Sequence, residues 1–163
     1  MQPNEEARET LLAEINGITD ENLNKKPDAT KWSIKQIVEH LFLMEGVIVK
    51  MVESQLEIGE DVQVEKKPIE RTVDRSQKVE APDYARPSED FETQEELKLK
   101  LEASHQGFLQ LVETANEQEL ERKAFQHPTF GDMSLQQWLP FIGWHEKRHI
   151  LQIQEVKAAL GLK

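Results

Sequence analysis

The chain has 163 residues, a formal net charge of −11 and no cysteine. One domain of this length buries a core without covalent staples, and disulfides, thiolate metal sites and cysteine nucleophiles are excluded. Nucleic acid and anionic membrane are polyanions, so the charge argues against nonspecific binding to either, and no apolar run approaches the ~20 residues of a membrane span.

The start, Met1-Gln2-Pro3-Asn4-Glu5-Glu6, has no basic region followed by an apolar stretch. No secretory signal is expected, and the cytoplasm is the expected compartment. A first helix is predicted from about Asn4 to Asn16, opened weakly by Asn4, with Leu11, Leu12, Ile15 and Ile18 on one side and Gly17 near its end. Asp20 to Leu23 adds a short turn before Lys26-Pro27.

A second helix, about Ile34 to Leu56, follows the pair Ser33 and Gln36, which matches the reciprocal capping box. Its stripe is Ile37, His40/Leu41, Met44, Val47/Ile48 and Met51, a three–four alternation. From about Glu57 to Asp90, three prolines, mixed charge and little periodicity predict a long loop, with short extended pieces near Val62-Gln63-Val64 or Val79. Connections of this length are uncommon in compact domains and often functional.

A third helix, about Gln94 to Asn116, opens at the capping box of Thr93 and Glu96 and carries Leu97, Leu101, Ser104/His105, Phe108, Leu111/Val112 and Ala115. The fourth, about Leu135 to Leu160, opens at Ser134 and Gln137 and presents Trp138, Ile142, His145, His149, Gln152 and Val156. Pro140 predicts a kink, or a helix that begins in earnest there. Gly161 is the expected stop. These elements predict an all-α fold, a four-helix bundle formed as a single domain over residues 1–163, with one long connection between helices two and three.

His40 sits on an apolar stripe, and His145 and His149 share one face of another helix, one turn apart. Burying several imidazoles costs free energy unless each finds a partner, and one shared divalent cation serves all three. Three neutral imidazole ligands leave a coordination position open, the layout of catalytic rather than structural zinc; imidazole also suits nickel, iron and cobalt. The competing reading is that each is a satisfied core or surface histidine. It is preferred for His105, a candidate fourth ligand at the core border, and for His127, before Pro128 in a loop. Gln36 and Gln152 stand one turn from His40 and His149 and are candidates to orient a ligand. Glu39 and Glu146 are expected as solvated surface charges. His145-Glu146-Lys147-Arg148-His149 fits the HExxH string of zinc proteases literally, but a bundle core offers no sheet edge for an extended peptide.

Three stretches together, Trp32-Ser33-Ile34-Lys35-Gln36-Ile37-Val38-Glu39-His40-Leu41, His127-Pro128-Thr129-Phe130-Gly131 and His145 to Gln152, span nearly the whole chain in order. In this combination the sequence resembles the DinB-like (DinB/YfiT) family of metal-dependent enzymes. The resemblance implies a four-helix bundle, a divalent metal ion (zinc or nickel foremost) bound by three histidines, and a homodimer. By position the ligand role falls on His40, His145 and His149. Members to which the chain is similar include bacillithiol S-transferases and the mycothiol-dependent maleylpyruvate isomerase. The resemblance therefore implies transfer of a low-molecular-weight thiol to an electrophilic small-molecule substrate. A hydrolase using metal-activated water and a noncatalytic binding or scaffold protein are the alternatives.

Overall fold

The computed structural model describes residues 1–162. Four long helices form the bundle: α1 (Gln2–Ile15), α3 (Ile34–Ile58), α4 (Gln94–Thr114) and α6 (Leu135–Ala159). Two short helices, α2 (Asp20–Leu23) and α5 (Glu117–Arg122), and a hairpin of β1 (Ala124–His127) and β2 (Gly131–Ser134) complete it. Among the described residues, no helix is long and apolar enough to cross a membrane.

Local sequence chemistry sets the helix ends. Ser33 and Gln36 exchange both bonds of a capping box at α3, as do Thr93 and Glu96 at α4. The third expected box is half made: Ser134 accepts from the Gln137 N–H, but the Gln137 amide instead brackets the backbone of Lys67 at 2.8 Å on both sides. At the far end of α6, Gly161 takes φ 73°, the Gly161 N–H reaches the Ala158 carbonyl and the Leu162 N–H reaches Lys157. That is a Schellman stop, and it needs glycine because other residues pay a steric penalty in this region.

Several expectations are corrected. Asn4 does not cap α1, which starts at Gln2 with Pro3 in its first turn; the Asn4 side chain is buried and donates to the Leu139 carbonyl at 2.9 Å. Pro140 does not begin α6: it lies in the second turn of a helix that is continuous from Leu135 to Ala159. The strands lie at 124–127 and 131–134 and not near Val62 or Val79, and the helix predicted to reach Asn116 stops at Thr114, where Asn116 caps α5 instead. Four-residue strands are too short to display an alternation that stands out.

Contacts between named residues give the direction of each helix. Along α1 and α6 the partners ascend together, Asn4 with Leu139, Arg8 with Glu146 and Glu14 with Lys157, so these helices run parallel. Along α3 and α6 they run oppositely: His40 meets His149 edge to face, while Ile48 and Val49 share a core cluster with Leu139 and Phe141. Helices α3 and α4 are parallel: Ile37 and Leu41 share one core cluster with Leu97 and Leu101, Glu45 bonds to Ser104 and His105, and Ile48 and Val52 share the other cluster with Phe108 and Leu111. A parallel pair requires the chain to travel back along α3, whose 25 residues rise about 37 Å. The long connection between them answers that demand.

This connection is fastened rather than loose. It contains two 3-10 turns, Ile69–Val73 against α6 and Asp83–Ala85 against α3. Arg148 donates to the carbonyls of Thr72, Asp74 and Gln77, and Ile69 and Ala85 are buried. The strap therefore crosses the surface between the His40 and His145–His149 helix segments.

The core is split into two apolar clusters. One joins Ala7, Leu11, Ile37, Leu41, Leu97, Leu101, Ile150 and Ile153; the other joins Ile48, Val52, Phe108, Leu111, Leu139 and Ile142. Between them in all four helices lie polar residues, Arg8, Glu45, Ser104/His105 and Glu146, bonded to one another.

Candidate metal centre

His40 comes from α3, and His145 and His149 from α6. The antiparallel crossing brings them together: the three ring centroids are 4.6–5.0 Å apart, and one nitrogen from each ring lies within 4.8 Å of the others. His40 Nε2 and His145 Nε2 are 3.2 Å apart. Two ligands of a tetrahedral ion, each ~2.0–2.1 Å from it, stand about 3.3 Å apart, so this pair is already spaced for a shared ion.

The partners of the outer nitrogens fix which nitrogen is free. His40 Nδ1 donates to the Ala85 carbonyl at 2.7 Å, and His149 Nδ1 donates to Gln152 Oε1 at 2.7 Å. A neutral imidazole protonated at Nδ1 presents a lone pair at Nε2, the arrangement that second-shell acceptors impose on metal-ligating histidines. The contact between the Nε2 atoms of His40 and His145 needs either a proton on His145 or a cation between them. Burial, seconded by neighbouring imidazoles, holds His145 well below the usual histidine range and His149 at about 3. Burial also lowers His40, against the opposing pull of the Ala85 carbonyl. All three rings are neutral near pH 7, the state a divalent ion requires. Donor set, spacing and protonation all fit such an ion.

The other candidates lie elsewhere. His105 is no fourth ligand: its Nδ1 donates to Glu45 Oε2 at 3.0 Å. His127 closes the hairpin, its Nδ1 accepting from the Thr129 and Phe130 N–H groups at 3.0 and 3.2 Å, the structural role expected of it. Gln36 is spent on the α3 cap and the Ser88 carbonyl, so it orients no histidine; Gln152 does.

Glu146 is 3 % exposed rather than solvated and is turned away from the cluster, receiving Arg8 Nε at 2.9 Å and Nη2 at 3.4 Å. Adjacent helical residues diverge by about 100°, which is why Glu146 and His145 face different layers. The carboxylate that activates water in an HExxH protease is therefore occupied here. Burial raises the Glu146 pKa above its usual value despite Arg8, with Glu45 adding repulsion. For Glu45 burial is outweighed by His105, Arg8 and Ser104, which together hold it below the usual value. Glu39 is likewise no surface charge; it pairs with Lys35 at 2.6 Å.

A bundle with one long crossover and three convergent imidazoles defines a class of helical proteins with a candidate metal centre. Residues 4–153 match the model of the DinB superfamily, and the chain belongs to that family. It is 34 % identical over 152 residues to the uncharacterized protein YuaE of Bacillus subtilis (strain 168), covering 93 % of each chain. Its fold is similar to that of TT2238, a four-helix bundle protein, with a TM-score of 0.64 and 19 % identity over 94 % of both chains. It is also similar to that of YfiT from Bacillus subtilis, described as a probable metal-dependent hydrolase with an unusual four-helix bundle topology. There the TM-score is 0.63 at 21 % identity, covering 99 % of this chain and 86 % of that one.

Proposed function

We propose that the chain is a metal-dependent enzyme in which His40, His145 and His149 hold one divalent cation, zinc or nickel, and that it transfers a low-molecular-weight thiol to an electrophilic small molecule. The observation that carries the reading is the convergence of three neutral imidazoles, with Nε2 atoms of His40 and His145 3.2 Å apart. When bound, a divalent ion lowers the pKa of a thiol or water molecule in contact with it.

The chain's own residues define what that centre favours. Ala85 and Gln152 keep the Nδ1 protons of His40 and His149 outward, so the lone pairs face inward. Glu146 and Glu39 are spent on Arg8 and Lys35. Three neutral ligands leave the charge of the cation undiminished, which suits an anionic nucleophile such as a thiolate. With no cysteine in the chain, the thiol comes from the substrate. A second reading, hydrolysis, is favoured by the likeness to YfiT. We also propose that two copies associate, as the family resemblance implies.

Elemental analysis of protein purified without an affinity tag tests the centre: about one metal per chain is expected, lost in both His40→Ala and His149→Ala. A metal-replete sample is then screened with low-molecular-weight thiols plus electrophiles, and with esters and amides. Turnover only with thiols supports transfer, turnover of esters or amides supports hydrolysis, and none at all supports a noncatalytic binder. Sedimentation measures the subunit number.

A further inference from the structure

Lys35 stands five residues before His40 on α3 and is 1 % exposed. Its three donors are all used: Nζ donates to Glu39 Oε1 at 2.6 Å, to Ser88 Oγ at 3.0 Å and to the Ser88 carbonyl at 3.2 Å. Glu39 completes the circuit by accepting the Ser88 N–H at 3.1 Å, and Gln36 Nε2 donates to the Ser88 carbonyl at 3.3 Å. Ser88 is thus held by its N–H, its carbonyl and its hydroxyl.

Three residues earlier in the strap is Ala85, whose carbonyl accepts from His40 Nδ1. The link between them is stiff. Pro87 has φ fixed by its ring, and the residue before a proline is confined to extended backbone. Arg86 obeys, at φ −81° and ψ 125°. Ala85 itself is fully buried in the 3-10 turn Asp83–Ala85. Where Ser88 sits therefore determines where the Ala85 carbonyl points.

We propose that Lys35, Glu39 and Ser88 form a clamp that positions the Ala85 carbonyl on His40 Nδ1 and so fixes His40 in the tautomer that presents Nε2 to the metal. Lys35 and Glu39 are positioning residues for the centre. Fastening alone does not require them, because well-packed apolar residues often replace a buried ion pair without loss of stability. Apolar residues would supply adhesion but no directed bonds to Ser88. The consequence for metal affinity rests on the reading above, whereas the consequence for the His40 tautomer belongs to the metal-free chain.

The double variant Lys35→Met/Glu39→Leu removes both charges at similar volume. Long-range 15N–1H NMR of the metal-free chain should show His40 as one tautomer in the wild type and a mixture in the variant. Chelator competition should show zinc affinity falling 10–100-fold. Ser88→Ala should lose less in the same direction, and Ser88→Thr, which keeps the hydroxyl, should restore the wild-type values. A folded double variant with an unchanged tautomer and unchanged zinc affinity overturns the clamp. If that variant does not fold, the Ser88→Ala and Ser88→Thr pair decides. If the wild type binds no zinc, the metal reading fails and the tautomer measurement still decides the clamp.

Discussion

Arg8 of α1 meets Glu146 of α6 at 2.9 Å in the interior, where both side chains are almost wholly withdrawn from solvent. The same guanidinium reaches Glu45 of α3 at 3.0 Å and the Leu101 carbonyl of α4 at 3.0 Å, so one cation ties all four long helices. Replacing it with Met leaves two carboxylates buried side by side with their shared counterion gone. Removing one partner of a buried pair costs about 3–5 kcal/mol, and a loss of that order is expected in urea unfolding at pH 7. Because protonation relieves the stranded carboxylates, the loss should shrink in acid. A variant as stable as the wild type at pH 7 would show that the layer is solvated.

Gly143 lies where the backbone of α1 comes close against α6. A Cβ there would lie 2.7 Å from the Asn4 nitrogen and 2.7 Å from the Pro3 carbonyl carbon, both backbone atoms. Backbone yields less easily than a side-chain tip, so Gly143→Ala should push the α1 terminus outward. Overpacking of this kind costs about 1–3 kcal/mol; thermal unfolding measures it, and an unchanged midpoint would contradict the contact. His145, two residues on, keeps its helix, so metal content should fall far less than in His149→Ala.

Gln152 aims His149 by accepting its Nδ1 proton. Gln152→Leu keeps the bulk and removes the acceptor. Loss of such a partner typically lowers metal affinity 10–100-fold, and chelator competition with zinc should show that range. Gln152→Glu keeps an acceptor and should retain most of the affinity. Equal affinities for wild type and Gln152→Leu would place the aiming elsewhere.

His127 offers a pH dependence separable from the metal centre. Burial lowers its pKa from the ordinary 6.5 to about 4. As pH falls below 6.5 the unfolded chain takes up this proton first, so folding becomes less favourable. The loss proceeds down to about pH 4, where the folded protein is protonated too. Asn at this position can accept the Thr129 and Phe130 N–H groups but does not titrate. With chelator present, the stability of wild type minus that of His127→Asn should fall between pH 6.5 and 4. A constant difference would contradict a buried neutral ring.

Helical period and capping chemistry are local, and the sequence alone determined what depends on them. Ser33 with Gln36 and Thr93 with Glu96 announced α3 and α4; the three–four stripes named Leu97, Leu101, Phe108 and Leu111 in α4 and Ile37, Leu41 and Ile48 in α3, but not the buried Val38, Val49 and Val52. They also placed His40 and the His145–His149 pair on inward faces, although only the antiparallel crossing of α3 and α6 brought the rings within reach of each other. Tertiary structure decided the partners. Glu39 and Glu146 read as solvated surface charges, each about 100° around its helix from a histidine; the groups that hold them inside, the Ser88 N–H for Glu39 and the Arg8 guanidinium for Glu146, arrive from other segments. The same holds for the strap. Its sequence shows prolines and charge, while its order comes from Arg148, Gln137 and Lys35 reaching across from the helices. A side chain's period is written in its own neighbourhood, but its burial cost is met by groups remote in the chain, and only the folded arrangement specifies those.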